Sequence, residues 1–146
     1  MCCPYFQPVE PRTRGAGPEA AMLPLGDWWS GACRAAPGAP WDPDEATLRF
    51  CNLGYARGGC ARFPPADGPD AVRFTMRGDD GVWLRIDYVM ERDHHPFAHG
   101  ALAYSLPGGR LAEPPAGATL QCQAESYAHS YLRRRAASPV TPCTCT

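Results

Sequence analysis

The chain has 146 residues, a formal net charge of −1 and a hydrophobic content of 45%. A domain of this size buries about two-thirds of the surface that its unfolded chain exposes, so a stable core is feasible without disulfides or metals. The near-neutral charge excludes a global electrostatic attraction to nucleic acid or to an anionic membrane. We therefore expect neither of these partners.

The composition indicates short elements joined by loops. The chain contains 17 prolines and 15 glycines, which together exceed their usual share in globular proteins. All 14 basic residues are arginine, a bias typical of a GC-rich bacterial genome. No basic segment followed by an apolar one stands near the start, and no apolar stretch approaches about 18 residues, so we expect a cytoplasmic protein.

Residues 1–43 contain eight of the prolines and show little hydrophobic periodicity. This pattern predicts an irregular N-terminal arm that wraps around the core of a single domain spanning 1–137. The apolar segment 23–29 would anchor the arm. At least one of its adjacent indoles, Trp28 or Trp29, should be buried.

The first helix signal begins at Asp42. Asp42 fits the N-cap, Pro43 the first helical position, Glu45 the acidic first turn and Gly54 the C-cap. Cys51 would then lie on the inward face of a short helix, just before a glycine-rich turn.

An antiparallel hairpin follows the helix. Apolar and polar residues alternate across 72–76 and again across 82–90, and the segment 78–81 between them reads Gly-Asp-Asp-Gly. This combination is typical of two strands joined by a tight turn. A third strand is expected at about 100–105, where the alternation is weaker.

The last element predicted is a long amphipathic helix. Residues 119–136 carry apolar side chains at helical spacings, and Arg133 to Arg135 fall in the last turn, where they oppose the helix dipole. The tail 138–146 is predicted to be disordered. The sequence thus predicts an α+β fold with an irregular arm rich in proline and glycine, a short helix, a small antiparallel sheet with a hairpin, and a long C-terminal helix.

Eight cysteines are several times the usual number for a chain of this length. Disulfides would need an oxidising compartment, and the sequence gives no export signal. The remaining explanations are a shared metal centre and buried thiols without a special role. We expect the metal centre.

The candidate metal ligands are Cys3, Cys33, Cys51 and Cys60. Three of them adjoin glycines or the ends of predicted elements, and the arm supplies the fourth, for which Cys2 is the alternative. Four thiolates around Zn²⁺ or an oxidised [4Fe-4S] cluster carry a net charge of about −2, so the site needs N–H donors and cations. Glycine-rich loops and arginines would provide them. Arg57 is the candidate cofactor-binding residue, with Arg34 and Arg62 as further cations.

The spacing of the cysteines bears on the identity of the metal. Structural zinc sites usually present C-x₂₋₄-C pairs, which the chain lacks, whereas scattered single cysteines favour an iron–sulfur cluster over zinc. Aromatic and proline neighbours of Cys3 and Cys60 would form an apolar shell. Cys122 is predicted to be an ordinary helix residue. Cys143 and Cys145 are predicted to be exposed thiols of the tail, which could supply a ligand if no cysteine of the arm reaches the metal.

A second group of chemically capable residues follows the second hairpin strand. Three of the four histidines lie within 94–99, beside two acids. Asp93, His94 and His99 would serve a metal-dependent or acid/base enzyme. The alternative is a turn in which the histidines do not converge. The chain contains no H-E-x-x-H, G-x-S-x-G, P-loop, G-x-G-x-x-G or C-x-x-C motif.

The sequence therefore predicts a small cysteine-ligated metal-binding protein, preferably holding a [4Fe-4S] cluster, with an electron-transfer, redox-sensing or structural role. The enzyme based on the 93–99 segment is one alternative. The other is a protein-interaction module with incidental cysteines, in which Trp83 or Arg133 to Arg135 contact an unknown protein partner.

Overall fold

The computed structural model describes residues 1–12 and 23–138. These residues form a two-stranded sheet, a four-stranded sheet and two helices, and all strand pairs are antiparallel, which confirms the α+β class. Across these ranges no helix combines the length and the apolar character needed to cross a membrane. The predicted tail lies outside the described residues except for its first residue.

The N-terminal arm is more regular than predicted. Strands β1 (Phe6–Arg12) and β2 (Trp28–Cys33) pair antiparallel, so the expectation of an irregular arm was wrong for both segments. Pro8 and Pro11 interrupt the alternation that would reveal β1, and proline is tolerated there because a two-stranded sheet leaves one side of each strand without a partner strand. Trp29 is 3% exposed, which confirms that at least one of the adjacent indoles is buried.

Helix α1 (Glu45–Leu53) begins two residues later than predicted, at Glu45 instead of Pro43. The N-cap is Asp44, whose carboxylate accepts a hydrogen bond from the Thr47 N–H at 2.8 Å, while Asp42 lies outside the helix. Gly54 ends the helix as predicted, with φ +72°. The buried face of α1 therefore includes Cys51, as the predicted helix required.

The larger sheet is a meander in which each strand pairs with the next. Its strands are β3 (Ala71–Asp79), β4 (Trp83–Arg92), β5 (His95–Ser105) and β6 (Arg110–Leu111). The predicted hairpin and the third strand are confirmed. Strand β5 begins earlier than predicted, and the sequence did not indicate its first half because those residues are exposed and lack the alternation of a half-buried strand. The two-residue β6 carries no recognisable pattern.

Helix α2 (Ala118–Ala137) confirms the long C-terminal helix. Its Ala124 and Ala128 are fully buried, and they pack in one core with β1 and the inner face of the large sheet. The buried Gln123 donates through Nε2 to the Cys3 carbonyl at 2.8 Å and the Phe6 carbonyl at 2.7 Å. The helix thus holds the start of the chain in place.

The turn between β4 and β5 has an unusual backbone. Asp93 (φ +48°) and His94 (φ +62°) are its two central residues, and a two-residue hairpin loop with positive φ at both positions is of type I′. The predicted histidine segment therefore begins with a strained hairpin turn.

Valine at Asp93 should destabilise the protein, because a β-branched residue is strongly disfavoured at positive φ. We expect Asp93→Val to lower the free energy of unfolding by about 1–2 kcal/mol. Asp93→Gly should change the free energy of unfolding by less than about 0.5 kcal/mol, because it removes the same negative charge but glycine adopts a positive φ without strain. Urea unfolding followed by circular dichroism measures both, and equal losses would contradict the backbone explanation.

Candidate metal centre

The structure brings the four predicted cysteine ligands together around one cavity. Cys3, Cys33, Cys51 and Cys60 all line one narrow cavity, which encloses about 10 Å³ and is partly open to solvent. They come from four separate segments: the residues before β1, the end of β2, the inward face of α1 and the loop after α1. The exposed part of the cavity wall is apolar.

The buried side of the cavity is formed by Cys3 and Cys51. The N–H of Cys3 donates to the Cys51 carbonyl at 2.9 Å, so the start of the chain is attached to the last turn of α1. The Gln123 amide holds the Cys3 carbonyl from the other side. Both cysteines are less than a tenth exposed.

The outer side is formed by Cys33 and Cys60, which are half-buried. Cys33 and Trp41 exchange two backbone hydrogen bonds, of 2.7 and 3.2 Å, which fix the end of β2. The N–H of Cys60 donates to the Ala56 carbonyl at 2.8 Å and closes a turn that contains Gly58 at φ +82°. The four thiols therefore differ in their access to solvent.

Of the two cysteines in the arm, Cys3 lines the cavity and Cys2 does not. Cys2 is fully buried, and its backbone exchanges hydrogen bonds of 2.7 and 2.8 Å with Val72, which adds one bridge to the edge of β3. Its thiol belongs to the hydrophobic core.

The electrostatics of the cavity keep its buried thiols neutral. Burial, together with the neighbouring thiols of Cys3, Cys33 and Cys60, raises the pKa of Cys51 to about 12. Burial also raises the pKa of Cys3 to about 12, although the nearby backbone N–H groups of Tyr5 and Phe6 favour the ionised form of this thiol. A bound cation would have to replace these protons.

Aromatic rings surround the thiols. Tyr5, Phe50 and Phe63 line the cavity, and Tyr5 and Phe63 meet edge to face with their centroids 5.4 Å apart. Arg62 also lines it and places its guanidinium 3.8 Å from the centre of the Trp41 ring. Arg62 is therefore the cation at the mouth of the cavity.

Arg57, the predicted cofactor-binding residue, is not among the lining residues. Its Nε donates to the buried carboxylate of Asp70 at 2.5 Å, and its guanidinium lies 4.8 Å from the centre of the Phe63 ring. Asp70 also accepts from the Asp93 N–H at 2.9 Å. Arg57 thus joins the loop that carries Cys60 to the β4–β5 turn.

Asp70→Asn should destabilise the protein in a pH-dependent way. Burial alone would raise the pKa of Asp70, but the hydrogen bond from Asp93 and the pair with Arg57 together hold it below its ordinary value. The ionised form is therefore stabilised by folding, and its contribution is present above about pH 4 and is lost as pH falls through the folded pKa.

We expect Asp70→Asn to cost about 1–3 kcal/mol at pH 7. Urea titrations at falling pH would show the two proteins converging below about pH 4. If the difference in the free energy of unfolding between the two proteins stayed constant below about pH 4, the ionised Asp70 carboxylate would not be the stabilising form.

The predicted histidine site is not assembled in the structure. His94 stacks on Tyr55 with the ring centroids 4.3 Å apart, His95 Nδ1 lies 2.6 Å from the Asp93 carbonyl, and His99 is exposed opposite Val89. Within residues 1–12 and 23–138, no three His, Cys, Asp or Glu side chains are arranged to hold a single metal ion.

The basic run at the end of α2 is engaged within the chain. Arg133 forms an ion pair with Asp27, Arg134 donates to the Gly26 carbonyl, and Arg135 pairs with Asp79 at 2.8 Å. These arginines fasten α2 to the loop before β2 and to the end of β3. Trp83, at the start of β4, is half-buried.

The remaining cysteines stand apart from the cavity. Cys122 is half-buried on α2, and its sulfur accepts a long hydrogen bond of 3.7 Å from Gln7. Cys143 and Cys145 lie outside the described residues.

Several residues that shape the site were not found by sequence reasoning. Asn52 and Gln123 are buried amides that form hydrogen bonds with backbone groups of the arm. Asn52 is the single asparagine of the chain and directly follows Cys51, and this position was the one sequence feature that pointed to its role. Tyr55 has φ +53° and donates its hydroxyl to Glu91. Burial, aided by this hydrogen bond, raises the pKa of Tyr55 to about 12.

Comparisons of this chain with protein-family models, with curated proteins and with solved structures found no match. A fold class alone does not determine function, whereas the chemistry of a site can. The convergence of four cysteines from separate segments on one cavity is therefore the observation from which a function is proposed below.

Proposed function

We propose that this protein binds a [4Fe-4S] cluster through Cys3, Cys33, Cys51 and Cys60, in an electron-transfer, redox-sensing or structural role in the cytoplasm. The observation that carries the proposal is the convergence of these four cysteines on one apolar cavity. Residues as distant as Cys3 and Cys60 meet there without any C-x₂₋₄-C pair to bring them together.

The surroundings of the cavity suit an anionic cluster. The backbone N–H groups of Tyr5 and Phe6 favour the ionised form of the Cys3 thiol, and hydrogen bonds to ligating sulfurs are a general means of stabilising iron–sulfur centres. Arg62 adds one positive charge at the mouth. The rings of Tyr5, Phe50 and Phe63 limit the access of water, which also influences the potential of a cluster.

The spacing of the cysteines favours a cluster over a single zinc ion. Structural zinc sites usually present their thiolates as C-x₂₋₄-C pairs, which this chain lacks. A [4Fe-4S] cluster presents a separate iron to each thiolate, so it suits single cysteines contributed by separate elements.

Anaerobic purification followed by iron, sulfide and zinc analysis tests the proposal. We expect about four irons and four sulfides per chain, with the broad visible absorbance of an iron–sulfur cluster. Cys33→Ser, Cys51→Ser and Cys60→Ser should each lose most of the iron. Cys122→Ser is the matched control, because its thiol lies away from the cavity, and it should retain full iron.

A colourless protein without iron or zinc, whose cysteine variants fold normally, would refute the proposal. Stoichiometric zinc in place of iron would refute the cluster and retain the cysteine-ligated metal site.

A further inference from the structure

A second cavity adjoins the cysteine cavity on its solvent side. It encloses about 140 Å³, is partly open to solvent, and is lined by Cys33, Ala35, Ala36, Ala39, Trp41 and Arg62. Cys33, Ala35 and Arg62 line both cavities, so the two are neighbours. We call the second one the alanine pocket. This volume is smaller than that of most drug-sized ligand sites, so the pocket suits only a small molecule.

The segment from Cys33 to Trp41 makes the pocket concave. Its two ends are joined by the backbone hydrogen bonds between Cys33 and Trp41, so the intervening residues form a closed loop. Gly38 turns the loop at φ +102°. Ala35, Ala36 and Ala39 project only methyl groups into the enclosed space, whereas longer side chains would fill it.

Arg62 gives the pocket an available charge. Its guanidinium stacks on the indole of Trp41, and this contact occupies a face of the group and leaves its N–H donors, which lie in its plane, free to bind. Among the described residues Arg62 has no ion pair and no hydrogen bond, whereas Arg57 and Arg133 bind carboxylates. An unpaired guanidinium fixed at the rim of a cavity is suited to hold an oxyanion through two parallel hydrogen bonds.

We propose that the alanine pocket binds a small organic anion, with its carboxylate on Arg62 and its apolar body against the alanine methyl groups and Trp41. A molecule held there covers the exposed side of Cys33. Binding itself requires no metal. The further consequence, that the bound anion shields one ligand of a cluster, rests on the proposed function.

Binding is tested on the purified protein with three probes. Benzoate has both a carboxylate and an apolar ring, benzamide has the ring without the charge, and inorganic phosphate has charge without the ring. We expect benzoate to shift the indole N–H signal of Trp41 saturably. Benzamide and phosphate should each bind at least about tenfold more weakly, since a charge-assisted pair and the apolar contact each contribute an amount of this order. Equal binding of benzoate and benzamide, or no saturable shift with benzoate, would overturn the proposal.

A pair of arginine variants localises the anion. Arg62→Gln should weaken benzoate binding at least about tenfold and leave benzamide unchanged. Arg49→Gln is the matched control, because Arg49 is exposed on α1 and lines neither cavity. It should leave both affinities unchanged. Equal effects of the two substitutions would show nonspecific charge attraction and refute the site.

The effect on Cys33 separates this proposal from the proposed function. In metal-free protein, benzoate should slow alkylation of Cys33 by iodoacetamide and leave that of Cys60 unchanged. Absence of iron together with benzoate protection would refute the cluster and support the pocket. Full iron loading with no benzoate effect on Trp41 or Cys33 would support the cluster and refute the pocket.

Discussion

Gly54→Ala is expected to lower the free energy of unfolding by about 3 kcal/mol or more and to detach the start of the chain from α1. A Cβ at this position would lie 2.5 Å from the Met1 carbonyl oxygen, and the backbone angles, φ +72° and ψ −171°, belong to a region that glycine alone adopts readily. The steric clash falls on backbone atoms next to Cys2 and Cys3, which a change of rotamer does not relieve.

Gly58→Ala is the matched control for this clash. Gly58 also has a positive φ, +82°, but no atom lies within 4 Å of the position that its added methyl group would occupy. We therefore expect Gly58→Ala to lower the free energy of unfolding only by the cost of placing alanine at a positive φ, about 1–2 kcal/mol. Urea unfolding of the metal-free proteins under reducing conditions measures both changes. If Gly54→Ala lowers the free energy of unfolding no more than Gly58→Ala does, the clash with Met1 does not contribute to the loss.

Asn52→Leu is expected to cost about 2–5 kcal/mol, although leucine has a similar volume. Asn52 accepts from the Trp29 N–H at 2.9 Å and donates to the Trp29 carbonyl at 3.0 Å, so its amide pairs with β2 as a neighbouring strand would. Leucine would leave both backbone groups of the buried Trp29 without partners, and unsatisfied buried groups cost about 1–3 kcal/mol each.

Gln121→Leu makes the same chemical change in a half-exposed position of α2. Within the part of the chain that the structure describes, its amide bonds only to Glu125, at 3.1 Å, so we expect a loss below about 1 kcal/mol. Near-ultraviolet circular dichroism should also report the loss of Trp29 packing in Asn52→Leu. Similar losses for both variants would mean that the strand-like pairing of Asn52 contributes little.

Elements with a repeating pattern were predictable from the sequence. The β3–β4 hairpin alternates with a period of two around a glycine–aspartate turn, and α2 repeats its small and apolar residues at helical spacing. Strands β1 and β2 were missed, because prolines break the alternation of β1 and the two strands are paired through contacts that no local signal reveals. The cap of α1 was misplaced because Pro43 fits the first position of a helix capped by Asp42, whereas the hydrogen bond from the Thr47 N–H makes Asp44 the cap.

The candidate site was predictable in its residue types but not in its arrangement. Single cysteines beside glycines and element ends identified Cys33, Cys51 and Cys60, and the choice of Cys3 over Cys2 depends on which side of the extended arm faces the cavity. The ion pair of Arg57 with Asp70 could not be inferred, because it depends on where β3 begins relative to the loop before it.

The attachment of Cys3 to α2 has a consequence for the time at which the site can form during synthesis. Cys3, Cys33, Cys51 and Cys60 all leave the ribosome before any part of the large sheet exists. The partner that fixes the Cys3 carbonyl, Gln123, lies 120 positions later in the chain. The hydrogen bonds that Gln123 donates to the Cys3 and Phe6 carbonyls therefore form only after residue 123 has left the ribosome, later than all four cysteines.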